Sequence, residues 1–196
     1  MSTQPPDSGS ESSSSGDQDT ALSRKPLLLV FGVASVLLAL DFLTKTLAIV
    51  NLEGREPLRT LGGAVYFVLV RNPGAAFSLG TGLTWLLALL AAGVVIAISW
   101  FAPKLRSNGW GLGLGLMLGG ACGNLIDRLF RPPGPFRGYV VDFVSLFAPD
   151  GSVWPVFNVA DSAIVCGGIL VVILSLLGHD YDGTVHSKKR RAGGSA

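Results

Sequence analysis

The sequence predicts an all-α membrane protein: a bundle of four transmembrane helices with a small β-rich element in the first extracytoplasmic loop. Three observations lead there. Four apolar stretches each come close to the ~20 residues that cross a bilayer core. Only 14% of the 196 residues are charged, against about a quarter in a soluble globule. Hydrophobic residues make up 49% of the chain and the mean hydropathy is +0.52, which leaves too little polar surface to cover a water-exposed sphere.

Residues 1–23 are rich in Ser, Gly, Asp and Gln. They cannot bury enough apolar surface to offset the entropy of ordering, so they read as a disordered cytoplasmic head. The remainder, 24–178, holds spans at about 26–50, 83–102, 110–130 and 156–177, and 179–196 reads as a basic cytoplasmic tail. The first span has the basic flank of a signal peptide (Arg24, Lys25), but it continues through Asp41 and Lys45 without a small-x-small cleavage site, which favours a retained span. The second contains no formal charge. The third is rich in glycine (109, 111, 113, 115, 119, 120 and 123), and small residues let helices approach closely in lipid, so it is expected at the centre of the bundle.

With the N-terminus inside, eight basic residues (Arg24, Lys25, Lys104, Arg106 and 188–191) fall on the cytoplasmic side, against five outside (Arg55, Arg59, Arg71, Arg131, Arg137). That bias places both termini in the cytoplasm. In the first outer loop the run Ala64 to Val70 is β-branched and aromatic, and Asn72-Pro73-Gly74 follows it; it reads as a strand and a turn. The second outer loop, Arg131 to Pro155, opens with prolines and reads as irregular.

A net charge of +2 gives no dense basic patch for nucleic acid. Cys122 and Cys166 lie in apolar segments and read as small buried packing residues, and His179 and His186 lie in the polar tail. No zinc-ligand spacing results.

Ionisable residues inside a span cost several kcal/mol unless paired or hydrated, so each marks a candidate site. Asp41 and Lys45 fall in the outer half of the first span. Asn124, Asp127 and Arg128 end the third, Asn158 and Asp161 begin the fourth, and Asp142 lies just before it. These segments bring their polar groups to one depth. Asp41–Lys45 stand i, i+4, and the other sets also share helical faces. Bland readings exist for several: an ion pair for Asp41–Lys45, helix or loop fixing for Asp127 and Arg128, interhelical hydrogen bonds for Asn124 and Asn158, a turn for Asn72. Asp142 and Asp161 resist such a reading, because each sits in an apolar context without a local cationic partner.

Two carboxyl groups in one poorly hydrated site have their proton affinities pushed apart. One can take a proton from water while the other hydrogen-bonds a carbonyl, which suits amide hydrolysis. A transporter would need polar groups through the full membrane thickness, and the second span has no charge. A scaffold would tolerate loss of both acids. Serine catalysis would need Ser78 to meet Lys45.

At these residues the sequence resembles the lipoprotein signal peptidase (signal peptidase II) family. The matching blocks are Asp41-Phe-Leu-Thr-Lys45, Asn72-Pro-Gly-Ala-Ala-Phe77, Gly123-Asn-Leu-Ile-Asp-Arg128, Val140-Val-Asp-Phe143 and Phe157-Asn-Val-Ala-Asp-Ser-Ala163, spread over roughly 26–178. The resemblance implies an aspartic endopeptidase of the bacterial inner membrane with Asp142 and Asp161 as its dyad. It implies that Asn72, Asn124, Arg128 and Asn158 hold the dyad and substrate backbone, and that Asp41, Lys45 and Asp127 support the site. Implied substrates are diacylglyceryl-modified prolipoproteins, cut before the lipid-bearing cysteine in contact with membrane lipid. Neither metal nor other cofactor is implied, nor any nucleic-acid partner, and the cyclic peptide globomycin is the expected inhibitor. The segment Arg131 to Gly138 departs from the family pattern by a few extra residues.

Overall fold

The computed structural model of the protein describes residues 15–74 and 84–186, with side chains from residue 24 onward. Its helices are α1 (Ser15–Leu52), α2 (Thr84–Phe101), α3 (Asn108–Phe130) and α4 (Val159–Leu176), and its strands are β1 (Leu58–Thr60), β2 (Val65–Asn72) and β3 (Val140–Leu146). All four helices are long and apolar enough to cross a membrane. Their outward faces carry exposed Phe42, Leu43, Leu90, Ile96, Ile169 and Val172. Such surfaces suit lipid, where every backbone polar group is satisfied within the helix.

Helix α3 is the hub, packing against α1, α2 and α4. Its glycines explain why. A Cβ on Gly115 would lie 2.9 Å from the Val30 carbonyl oxygen of α1, and one on Gly119 2.9 Å from that of Ala34. On another face, a Cβ on Gly113 would lie 2.8 Å from Val171 of α4, and one on Gly167 of α4 would lie 2.5 Å from the Gly113 carbonyl. Backbones this close gain dispersion contacts that larger residues would forbid. At one end of the bundle Val30, Ile98, Leu105 and Leu118 form an apolar core.

At the opposite end lies an antiparallel sheet of order β1-β2-β3. Val70 pairs with Asp142 and Asn72 with Val140, and the register shifts between Phe67 and Val70. The sheet is fused to the helices through Val141 and Phe143, which pack with Ala48, Ile49 and Leu52 of α1. The expected strand at 64–70 is therefore β2. The second outer loop is not wholly irregular as expected: Val140 to Leu146 forms β3, because its β-branched residues complete a buried sheet face.

Four other expectations need correction. Residues 15–23 continue α1 rather than forming part of a disordered head, since extending an existing helix costs far less than nucleating one; residues 1–14 lie outside the described residues. Within the tail, Gly178 to His186 folds into a hairpin closed by a His179–Val185 bridge, and residues 187–196, with the four-residue basic run, lie outside the described residues. Cys166 is exposed rather than buried, and Cys122 is partly buried; on a bundle in lipid an apolar residue gains nothing by turning inward. The fourth span starts at Val159 rather than near 156, because Asn158 caps it.

Candidate active site

The polar residues singled out above meet where the sheet joins the helix ends. Asn158 occupies the N-cap of α4: its side chain accepts from Asp161 N, while the Asp161 side chain accepts from Asn158 N, a reciprocal capping box. The cap leaves the Asn158 amide nitrogen free to reach β3, where Nδ2 donates to Asp142 Oδ1 at 2.7 Å. One residue thus ties the two acids together.

Each carboxyl oxygen of this pair receives one fixed N–H. Asp142 Oδ2 accepts from Asn72 Nδ2 at 2.8 Å, and Asn72 is held in turn because its Oδ1 accepts from Gly74 N at 2.9 Å. Asp161 Oδ1 accepts from Asn124 Nδ2 at 2.7 Å, and Asp161 Oδ2 from Asn158 N at 3.1 Å. Asn72 is both the turn residue and the partner of an acid. Asp142 is buried on its strand, whereas Asp161 is half-buried. Burial foremost, then the negative charge of Asp161, pushes the Asp142 carboxyl up to about 7; the bonds from Asn72 and Asn158 and the Lys45 charge pull the other way.

Behind the pair lies a buried ionic group. Lys45 Nζ contacts Asp41 Oδ2 at 2.7 Å, Asp127 Oδ2 at 2.9 Å and Asn124 Oδ1 at 3.1 Å. All three ammonium protons are spent. Asp41 Oδ1 accepts from Ala160 N at 3.0 Å, locking α1 to α4, and Asp127 Oδ2 accepts from Val141 N at 3.2 Å. Arg128 donates from Nη2 to the Gly74 carbonyl at 2.8 Å, and its buried Nη1 has no partner among the described residues.

All nine residues selected from the sequence thus converge. Lys45 is fully engaged by acceptors and so is no free base for Ser78, which lies outside the described residues. Sequence reasoning missed Arg131 as a member of the group: its Nε pairs with Asp127 Oδ1, and the i, i+4 spacing from Asp127 was the available signal. It also missed Gly123, where a Cβ would stand 2.5 Å from Asp41 Oδ2. Among the described residues, no group of three or more His, Cys, Asp or Glu side chains is placed to hold a metal ion.

Four helices able to cross a membrane, with two acids clasped by one asparagine at the bundle's end, make a multi-pass membrane protein whose paired acids have the chemistry of an aspartic peptidase. The comparisons with known proteins make that class specific. Residues 33–177 match the family model of signal peptidase (SPase) II. The lipoprotein signal peptidase of Rhodococcus jostii (strain RHA1) is 58% identical over 157 residues, covering 80% of this chain and 77% of that one. That of Mycobacterium avium (strain 104) is 52% identical over 164 residues, covering 84% and 87%. A solved bacterial membrane enzyme structure, obtained by the in meso method at 2.3 Å resolution, superposes with a TM-score of 0.66 at 25% identity, over 85% of this chain and 94% of the other. The chain belongs to the signal peptidase II family.

Proposed function

We propose that Asp142 and Asp161 are the catalytic dyad with which this enzyme removes signal peptides from diacylglyceryl-modified prolipoproteins, cutting before the lipid-bearing cysteine. The observation that carries the reading is the clasp: Asn158 holds both acids through its amide and its backbone. The sheet end of the bundle is the extracytoplasmic face and both termini are cytoplasmic, supported by the excess of basic residues on the other side. Substrate lipid tails remaining in the bilayer hold the scissile bond at the depth of the dyad, which removes much of the orientational cost of the reaction.

The charges support a singly protonated dyad. Lys45, Arg128 and Arg131 are the cations of the group, facing Asp41, Asp127, Asp142 and Asp161. One proton on the dyad balances three positive against three negative charges, and a net charge buried here would be costly. Asp142, the more deeply buried acid, carries that proton. Asp161, in the first turn of α4, keeps its charge beside the positive end of the helix dipole.

Asp161 takes a proton from water as the oxygen bonds to the scissile carbonyl carbon, while Asp142 donates its proton to the carbonyl oxygen. In the collapse of the tetrahedral intermediate, Asp161 returns its proton to the leaving nitrogen as the C–N bond breaks. Asp142 recovers a proton from the hydroxyl, leaving a carboxylic acid product. Arg128 Nη1, without a partner among the described residues, offers a donor to the substrate backbone. Purified enzyme, Asp142→Asn and Asp161→Asn are incubated with a diacylglyceryl-modified precursor. Both variants remain folded and lose turnover to background; near-normal cleavage by either overturns the assignment.

A further inference from the structure

We propose that Arg131, Asp127 and Lys45 form a positioning relay that fixes the orientation of Asn124 and, through it, the charge carried by Asp161. The inference rests on the reading of Asp161 as the general base. A carboxamide has nearly the same shape in its two flipped orientations, so its direction is set by its partners. Here Asn124 Oδ1 accepts from Lys45 Nζ at 3.1 Å and from Asn158 Nδ2 at 3.3 Å. That leaves Nδ2 facing Asp161 Oδ1 at 2.7 Å. The flipped amide would set donor against donor at Lys45 and acceptor against acceptor at Asp161. Lys45, which can only donate, forbids it.

The relay continues outward. Asp127 divides its carboxylate between two cations, giving Oδ2 to Lys45 and Oδ1 to Arg131 Nε. Arg131 follows the last residue of α3 and its side chain is 20% exposed, so the relay runs from a partly solvated arginine to a half-buried acid. Without Arg131, the whole charge of Asp127 falls on Lys45 and draws the ammonium from Asn124. The amide then loses its lock, and the site also loses a positive charge. Both effects loosen the hold of the site on the Asp161 carboxylate.

The other charged groups facing Asp161 are Arg128 of α3 and Asp142 of β3, while Asp41 of α1 accepts from the neighbouring Ala160 N; α2 contains no formal charge. None of these is altered by changing Arg131, which makes it the right probe.

The test measures kcat/KM between pH 5 and 9 on a diacylglyceryl-modified precursor peptide, with thermal midpoints recorded in the same detergent. Arg131→Gln and Arg131→Met are compared with Arg131→Lys, which keeps the cation. Expected is an acid limb moved up by about half a pH unit, an about threefold loss at a pH on that limb, with little change on the plateau and recovery in Arg131→Lys. A pH-independent loss, or no change, in the Gln and Met variants overturns the relay. Asp161→Asn run alongside reports separately on the dyad: its retained activity would sink the underlying reading whatever Arg131 does.

Discussion

Asn158 serves Asp142 and the start of α4 with a single side chain: Nδ2 donates to Asp142 Oδ1 at 2.7 Å while Oδ1 accepts from Asp161 N at 2.9 Å. Cap and clasp can be separated by substitution. Serine at 158 keeps an N-cap oxygen but cannot reach the strand, so helix stability should hold to within about 1 kcal/mol. The bond to Asp142 is lost, and catalysis should fall by about a hundredfold, the scale at which a misplaced catalytic group is felt. Activity assays paired with thermal scans in detergent check this. Wild-type turnover in Asn158→Ser would show that the clasp is dispensable.

Asp142 makes stability depend on pH in a definite direction. Its carboxyl is pushed up to about 7 by burial and by Asp161, from an ordinary value of 3.8. The folded protein therefore holds this proton more tightly than the unfolded chain does. The stabilisation is complete below about 4 and is lost as pH rises through about 7, an effect of at most about 4 kcal/mol. Asp142→Asn removes it. The melting temperature of the variant relative to wild type should thus rise between pH 5 and pH 8, irrespective of any constant cost of the altered hydrogen bonds. A difference that stays flat across that range contradicts the assignment.

The parts of the fold legible in the sequence were those governed by one-dimensional rules. Spans were visible because lipid admits few charges, and α3 declared its central place through its glycines. The site was visible because Asp41, Lys45, Asp127 and Asp161 are expensive where they stand unless they serve a purpose. Strand β3 was hidden by the prolines and glycines just before it, although Val140-Val141-Asp142-Phe143-Val144 carries the β-branched and aromatic signal. Its pairing with β2 joins residues 70 apart, as Asn72 and Asp142 show, and no local pattern encodes such a contact. Arg131 was not legible for a different reason: it stands just beyond the third span, where a charge carries no intramembrane cost to mark it.

The glycines of α3 can be tested against glycines elsewhere. A Cβ at Gly115 would press on the Val30 carbonyl at 2.9 Å and Val33 Cβ at 3.0 Å, whereas one at Gly93 of α2 meets nothing within 4 Å. Gly115→Leu should cost more than about 2 kcal/mol, since backbone cannot give way as a side chain can. Gly93→Leu should be close to neutral, facing only lipid. Unfolding in detergent or by steric trapping would rank the two variants. Equal stability of both would mean that close α1–α3 approach is not what holds the bundle.

The hairpin at residues 178–186 closes the end of the bundle opposite the sheet. The Tyr181 ring lies 5.1 Å from Phe101 and 6.3 Å from Trp110. Its carbonyl accepts from Arg106 N at 2.8 Å and Ser107 N at 3.1 Å, and Trp110 Nε1 donates to the His179 carbonyl at 2.8 Å. The hairpin thereby ties the segment after α4 to the α2–α3 connection. Tyr181→Ala leaves the backbone bonds possible but removes two aromatic contacts, each contributing about 0.5–1.5 kcal/mol. Stability should fall by about 1–3 kcal/mol, and hydrogen exchange at Arg106 and Ser107 should quicken. The dyad sits at the other end of the helices, so kcat at a temperature well below melting should stay within about twofold of wild type, a change of less than about 0.5 kcal/mol in the barrier. A large loss of kcat with unchanged exchange would assign Tyr181 a role in the reaction rather than in the fold.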